Sequence, residues 1–276
     1  MEIVSTGRAH GGTQGVYRHA SAATGTDMTF SVFVPDHAPG ERLPVVWYLS
    51  GLTCTHANVT DKGEYRAACA RHRLIFVAPD TSPRGDDVPD DDAWDFGKGA
   101  GFYVDATQAP WSANFRMWSY VTDELPTLLG REFPADMARQ SIMGHSMGGH
   151  GALTIALRDP QRFRAVSAFA PIVAPTQVPW GKALDRYLGD DAAAKRRHDA
   201  VGLIDDGARV AELLVDQGDA DGFLTGQLRP ELLVQACERA GIALTLRMQP
   251  GYDHSYNFIS TFMADHLDWH AARLTA

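Results

Sequence analysis

The sequence predicts an α/β fold in which helices cover both faces of a doubly wound, mostly parallel sheet. Short and almost continuously apolar runs recur along the 276 residues, as expected for parallel strands that are buried on both faces. Stretches with helical periodicity separate these runs, and the alternation continues along the chain. Near the start, two runs of β-forming residues enclose a turn, which predicts an antiparallel strand pair.

The N-terminal pair consists of residues 14–21 and 28–34, with turn-forming residues at 24–27 between them. The buried parallel strands are predicted at 43–49, 74–78, 140–144, 165–170, 211–215 and 243–248. Helices are predicted around 61–73, at 147–158 and 230–240, and, as a final amphipathic helix, from about 257 to 274.

We predict a single domain over residues 1–276, because no shift in composition and no linker divides the chain. Two insertions, at about 80–118 and 171–206, are too long to be simple connections. Ligands of such sheets bind beyond the carboxyl ends of the strands, so we expect these insertions to shape or cap a pocket. The acidic run at 86–92 lacks the Gly and the final Glu of a calcium loop, and we interpret it as a solvated turn.

The net charge limits which partners the protein is expected to bind, and the cysteines indicate the cellular compartment. A formal net charge of −9 argues against nucleic acid and against an anionic membrane, because both require clustered Lys and Arg. Residues 1–12 lack the pattern of a signal peptide and no apolar run approaches membrane-spanning length, so we expect a soluble, unexported protein. Cys54, Cys69 and Cys237 are an odd number and lack zinc-site spacing, which predicts reduced thiols in a cytoplasm. We expect neither a metal nor a cofactor.

Ser146 stands at the centre of a GxSxG motif that it forms with Gly144 and Gly148. A GxSxG pattern can arise by chance in a chain with 26 glycines. The predicted structure around it therefore decides whether the motif is catalytic. Here the motif lies between a predicted strand and a predicted helix, where a sharp turn can expose a serine hydroxyl for nucleophilic attack. The sequence therefore predicts a serine hydrolase.

A histidine base is expected after the last strand of such a sheet. His254 lies there, between the last predicted strand and the final helix. His266 and His270 belong to that helix, and His145 and His150 flank the nucleophile with expected packing roles. We therefore predict that His254 is the catalytic base.

The acid that orients this histidine is expected in the loop after the preceding strand, which contains Asp216, Asp219 and Asp221. Asp216 lies at the strand end and is interpreted as a loop anchor. Asp221 is favoured because Phe223 and Leu224, which follow it, are expected to root the loop in the core. Asp219 remains the alternative.

An oxyanion hole requires two N–H donors. The residue after the nucleophile, Met147, supplies one at the start of its helix. The second is expected from the loop after strand 43–49, where Gly51 precedes Leu52. The backbone N–H groups of Leu52 and Met147 are therefore the predicted oxyanion donors.

Five separated segments resemble the signature segments of the S-formylglutathione hydrolase (esterase D) family. They are SGLTCTHAN at 50–58, GHSMGGHGAL at 144–153, PWG at 179–181, DQGDADGFL at 216–224 and GYDHSYNFI at 251–259. The resemblance implies an α/β-hydrolase fold, a homodimer and hydrolysis of the glutathione thioester S-formylglutathione to formate and glutathione, in formaldehyde detoxification. It also implies the triad Ser146, Asp221 and His254.

Further residues are candidates for substrate contacts. Trp94 and Trp180 are candidate pocket walls, although a core position is equally consistent with a Trp. Lys182 or Lys98 would face the anionic glutathione at the pocket mouth, although either could simply be solvated. The resemblance favours Cys54 as a thiol whose modification blocks the site, the alternative being a small buried side chain.

Two other functions remain compatible with the sequence. A general short-chain carboxylesterase or deacetylase would use the same scaffold and triad, because the fold does not determine the acyl or the leaving group. A non-catalytic binding protein would retain the fold alone and is expected to have a broken triad, which this sequence does not have.

Overall fold

The structure is a computed structural model that describes residues 1–275. Its strands are β1 (Glu2–Ala9), β2 (Gly12–Ala20), β3 (Asp27–Pro35), β4 (Leu43–Leu49), β5 (Ile75–Pro79), β6 (Ala135–His145), β7 (Phe163–Phe169), β8 (Glu212–Gly218) and β9 (Ala243–Gln249). Within the described residues they form one sheet in the order β1-β2-β3-β5-β4-β6-β7-β8-β9. From β5 to β9 every neighbouring pair is parallel, so the predicted α/β fold with a mostly parallel sheet is confirmed.

The antiparallel end of the sheet is larger than predicted. The predicted pair corresponds to β2 and β3, and β3 also runs antiparallel to β5. Strand β1, which the sequence analysis missed, adds an outer antiparallel strand beside β2. Seven of its eight residues are exposed, so it carries no alternation of apolar and polar side chains that would identify a strand.

The helices are α1 (His56–Lys62), α2 (Arg66–His72), α3 (Met117–Ser119), α4 (Leu125–Glu132), α5 (Met147–Arg158), α6 (Lys182–Leu188), α7 (Ala192–Arg196), α8 (Ala200–Asp205), α9 (Pro230–Ala240) and α10 (Tyr256–Leu274). They form two groups, because α10 contacts α1 and α2, whereas α5 contacts α8, which contacts α9. Among residues 1–275, no helix combines the length and the apolar character needed to cross a membrane.

The helical stretch predicted around 61–73 is divided into two short helices. A capping box at Thr55, in which Asn58 bonds back to the Thr55 N–H, starts α1 several residues earlier than predicted. Gly63 ends α1, and Arg73 ends α2 in the left-handed conformation. Local capping therefore determines these boundaries, which apolar periodicity alone does not reveal.

The two predicted insertions pack against each other through Tyr187 of α6. Its ring stacks on Phe96 and Phe115 of the first insertion, at centroid distances of 4.4 and 5.3 Å. Its hydroxyl donates to the Ala100 carbonyl at 3.0 Å and accepts from the Gly97 N–H at 3.2 Å. The acidic run is largely exposed, as predicted for a solvated turn, but Asp91 pairs with Arg186 at 2.5 Å.

We expect Tyr187→Phe to lower stability, because it leaves the Gly97 N–H and the Ala100 carbonyl without their buried partner. The expected loss is about 1–3 kcal/mol, seen as a lower Tm by calorimetry. Tyr17→Phe is the matched control, since this buried ring carries a hydroxyl with no hydrogen bond to the described residues. Equal Tm values for the two variants would contradict the role assigned to Tyr187.

Candidate active site

Ser146 lies in the single-residue turn between β6 and α5. Its backbone has φ 57° and ψ −118°, a conformation that costs a non-glycine residue energy and persists only where surrounding contacts enforce it. Its N–H donates to the Phe169 carbonyl of β7 at 2.9 Å, and its carbonyl accepts from the His150 N–H at 2.9 Å. These bonds hold the turn and leave the Ser146 side chain at the carboxyl end of the sheet.

The two glycines of the motif allow this turn because α5 begins almost in contact with the sheet. A Cβ on Gly148 would overlap the Leu49 carbonyl of β4, and a Cβ on Gly144 would overlap the carbonyl of Gly148 itself. A Cβ on Gly51 would meet Ser146 Cβ at 3.1 Å. The spacing of GxSxG is therefore explained by close backbone approach.

His254 and Asp221 form the closest polar pair of the site. Asp221 Oδ2 lies 2.6 Å from His254 Nδ1, and the Asp221 side chain has no solvent exposure. The carboxylate also accepts from the Phe223 N–H at 2.8 Å and from Gln217 Nε2 at 3.2 Å. Since a carboxylate only accepts, Nδ1 carries the proton, and Nε2 is left as the basic nitrogen.

The other two carboxylates of this loop have different partners. Asp219 Oδ1 accepts from the Gly251 N–H at 2.7 Å and so ties the acid loop to the loop that contains His254. Asp216 is fully buried and forms two bonds with Arg247 of β9. The structure thus places Asp221, and not Asp219, beside His254.

Ser146 and His254 line the same small cavity. Its volume is about 190 Å³, below the roughly 300–1,000 Å³ of sites for drug-sized ligands. The lining residues are Gly51, Leu52, Thr53, Trp94, His145, Ser146, Trp180, Phe223 and His254. A cavity of this size fits a small acyl group.

The loop that contains Leu52 is held on both sides by the first insertion. The Ser50 carbonyl accepts from the Tyr103 hydroxyl at 2.9 Å, and the Thr53 N–H donates to the Gly99 carbonyl at 2.9 Å. Leu52 lies between these anchors and lines the cavity. Met147 is the first residue of α5, where backbone N–H groups lack partners within the helix. That Leu52 and Met147 supply the oxyanion donors stays a prediction.

Comparisons with known proteins find relatives that match this chain over most or all of its length. The Esterase family model matches residues 21–269. The S-formylglutathione hydrolase of Paracoccus denitrificans is 54% identical, with 99% of this chain and 98% of that protein covered. That of Mus musculus is 49% identical, with 100% and 99% covered. A solved S-formylglutathione hydrolase from Agrobacterium tumefaciens is 60% identical with a TM-score of 0.98, covering 99% of this chain and 100% of that one.

The chain belongs to the S-formylglutathione hydrolase family. The resemblance that its signature segments indicated is thereby confirmed. The similarity spans essentially the full length of this chain and of each of these relatives, so both insertions lie within the shared region.

An aromatic wall, formed by Trp94, Trp180 and Phe223, bounds the cavity. Trp180 is buried and lies 5.0 Å from the Phe223 ring, which in turn lies 5.1 Å from the His254 ring. Trp94 covers Trp180 edge-on and is 56% exposed. As expected, Phe223 packs against the core, although it is only partly buried, whereas Leu224 does not, and the fully buried residue of this segment is Leu228.

The two candidate cations are already paired with acids of the first insertion. Lys182 Nζ lies 2.8 Å from Asp95 Oδ2, and Lys98 Nζ lies 3.8 Å from Asp90 Oδ2. In the described part of the chain, the cavity lining includes neither lysine. Any contact with an anionic substrate would therefore have to compete with these carboxylates.

His145 is the lining residue whose role the sequence analysis missed. It was expected to pack, as His150 does by bonding the Phe102 carbonyl. Instead the His145 ring lies 4.4 Å from the His254 ring, and burial lowers its pKa well below the usual range. A neutral imidazole therefore lies beside His254. The sequence signal that could have revealed this role is the position of His145 directly before Ser146.

Cys54 lies beside the cavity rather than in its lining, within the residues described. Its carbonyl accepts from the Thr81 hydroxyl at 2.5 Å and from Arg84 at 3.1 Å, which turns this residue toward the first insertion. Burial raises the pKa of its thiol, and Tyr256 lies next to it. At neutral pH the thiol is protonated, and hence a weak nucleophile.

We expect iodoacetamide to inactivate the protein slowly at pH 7 and faster as the pH rises. Below the thiol pKa the thiolate fraction, and with it the alkylation rate, increases about tenfold per pH unit. Residual esterase activity after timed alkylation measures the rate. Cys54→Ala is the control, and inhibition of this variant at the wild-type rate would rule out Cys54 as the target.

Proposed function

We propose that this chain is a serine thioesterase that hydrolyses S-formylglutathione to formate and glutathione, with Ser146, His254 and Asp221 as its triad. One observation carries the chemistry: His254, paired with Asp221 at 2.6 Å, lines the same cavity as Ser146. The substrate rests on the relatives, whose printed names specify S-formylglutathione.

In the acylation step, His254 Nε2 accepts the Ser146 hydroxyl proton while Oγ attacks the formyl carbon. The carbonyl oxygen becomes an oxyanion between the N–H groups of Leu52 and Met147. Removal of one such donor costs roughly 2.7–4 kcal/mol of transition-state stabilisation in serine hydrolases. Because both donors are backbone groups in restrained segments, little reorganisation accompanies the reaction.

Collapse of the tetrahedral intermediate breaks the C–S bond and leaves a formyl ester on Ser146. A thiol has a pKa of about 8.5, so glutathione is a good leaving group, and it departs as the thiol with the proton from His254, which is left neutral. Water then enters and attacks the ester while His254 removes its proton. The imidazolium returns this proton to Ser146 Oγ as the ester bond breaks, and formic acid is released and ionises to formate. Asp221 stabilises the imidazolium in both halves of the reaction.

The size of the cavity supports a short acyl group. Ser146, His254 and the aromatic wall share about 190 Å³. A formyl group fits beside the nucleophile, whereas each added methylene needs space at the expense of these side chains. Trp94 and Thr53 are the exposed residues of the described lining, and we place the leaving group beside them. A general short-chain esterase would share the acyl side of this cavity, so the leaving group distinguishes the two functions.

Glutathione thioesters arise where glutathione is kept reduced. We therefore propose a cytoplasmic location and a role in removing the formyl adduct of glutathione, which links the reaction to formaldehyde detoxification. Cys54, Cys69 and Cys237 are free thiols, consistent with a reducing compartment.

Because Asp219 and Asp221 lie in the same loop, the same substitution at each position tests which carboxylate is the catalytic acid. We expect Asp221→Asn to lower kcat by roughly 10³-fold or more, because an amide next to Nδ1 favours the wrong histidine tautomer. In Asp219→Asn the amide oxygen can still accept the Gly251 N–H, so kcat is expected to change only a few-fold. Steady-state kinetics compare the two variants, and the reverse order of losses would identify Asp219 as the acid.

A panel of glutathione thioesters with formyl, acetyl and propionyl groups tests the substrate. We expect kcat/KM to be highest for formyl and to fall about 10- to 200-fold with each added carbon in the confined cavity. The same acyl groups as p-nitrophenyl esters report on the leaving group. Equal kcat/KM for thioesters and esters would favour the general esterase, and equal hydrolysis by wild type and Ser146→Ala would refute the mechanism.

A further inference from the structure

A chain of buried polar side chains crosses the core below the candidate site. Ser167 of β7 lies at its centre, with its hydroxyl 2.7 Å from His270 Nε2 and 2.8 Å from His266 Nδ1. His266 Nε2 faces Asp216 Oδ2 at 3.4 Å, and Arg247 binds the same carboxylate. Ser167, His266, His270 and Asp216 have no exposed surface. We call these four residues the buried relay.

The direction of the hydrogen bonds in the relay follows from its charged end. His266 Nε2 makes no hydrogen bond at 3.4 Å from Asp216 Oδ2, but the negative charge of the carboxylate favours the tautomer that carries the proton on Nε2, facing Asp216. Burial lowers the pKa of His266, so the ring is neutral and its Nδ1 is an acceptor. The Ser167 hydroxyl must then donate to His266 and accept from His270 Nε2–H. Each proton of the relay therefore points toward Asp216.

The relay joins the segments that position the three triad residues. The His266 ring stacks on Phe169 at 3.9 Å, and the Phe169 carbonyl accepts the Ser146 N–H. Asp216 belongs to β8, which leads directly into the loop of Asp221. His266 belongs to α10, whose first residue, Tyr256, follows the His254 loop. Ser146 is thus one hydrogen bond away from a residue that contacts the relay, Asp221 follows Asp216 by five residues, and His254 precedes His266 by twelve residues, at the start of the same helix.

We propose that Ser167 is a positioning residue that, through the buried relay, sets the placement of Ser146, Asp221 and His254 relative to one another. None of the relay side chains lines the cavity within the residues described, so the relay acts on the alignment of the triad and not on substrate contacts. The inference rests on the proposed function in taking Ser146, His254 and Asp221 as the triad.

Ser167→Ala removes the hydroxyl that both histidines use. Misplacement of catalytic groups by about 1 Å can cost 10²-fold in rate, so we expect kcat for p-nitrophenyl acetate to fall about 10- to 100-fold. KM is expected to remain within about twofold, since the cavity lining is unchanged. The rate of Ser146 labelling by a fluorophosphonate should fall in parallel with kcat.

Ser141→Ala is the matched control. Ser141 lies in the neighbouring strand β6, is fully buried, and has a hydroxyl without a hydrogen bond to the described residues. The variant makes the same atomic change without touching the relay, and we expect wild-type kcat and labelling.

A second pair keeps the test decisive if Ser167→Ala does not fold. His270→Gln retains an N–H donor near the position of Nε2 and should keep kcat within about threefold, whereas His270→Leu should lower kcat with unchanged KM. The proposal fails if Ser167→Ala behaves like Ser141→Ala, or if His270→Gln and His270→Leu lose activity equally. Failure of the proposed function gives a different result, namely equal fluorophosphonate labelling of wild type and Ser146→Ala.

Discussion

The close approach of α5 to the end of β4 is the contact on which the site depends. Because Gly148 rests against the Leu49 carbonyl, the chain must turn between β6 and α5 within one residue, and Ser146 takes a positive φ. The same approach sets the first turn of α5 against the loop that follows β4, since a Cβ on Gly148 would also meet the Ser50 carbonyl at 2.7 Å. One backbone contact thus positions Ser146 and brings together the two segments that contain Met147 and Leu52, the proposed oxyanion donors.

The two insertions connect this part of the sheet to the walls of the cavity. The first insertion anchors the loop of Leu52 through the Tyr103 hydroxyl and the Gly99 carbonyl. The second contributes Trp180 to the aromatic wall of the cavity that Ser146 lines. Since Tyr187 joins the two insertions, the segment that holds the Leu52 loop and the segment that carries Trp180 form one packed unit.

Three carboxylates within six residues have three separate roles, because each meets a different partner. Asp216 is buried with Arg247 and the relay, Asp219 caps the Gly251 N–H, and Asp221 holds His254. The buried Asp216 carboxylate is paired with the guanidinium of Arg247. The buried Asp221 carboxylate is paired with the imidazole of His254, a backbone N–H and a side-chain amide. A buried carboxylate requires such partners. The acid loop is therefore fastened at Asp216 and at Asp219, directly before the carboxylate of Asp221.

By itself, the sequence determined the features that depend on neighbouring residues: the buried strands, helix α5, the GxSxG turn and the segments that identify the family. Apolar periodicity and glycine spacing act over a few residues and are visible without the fold. Only the tertiary structure decided that Asp221 and not Asp219 faces His254, that Phe223 and His145 line the cavity, and that exposed β1 joins the sheet. These outcomes depend on contacts between residues far apart in the chain, for which local pattern carries no signal.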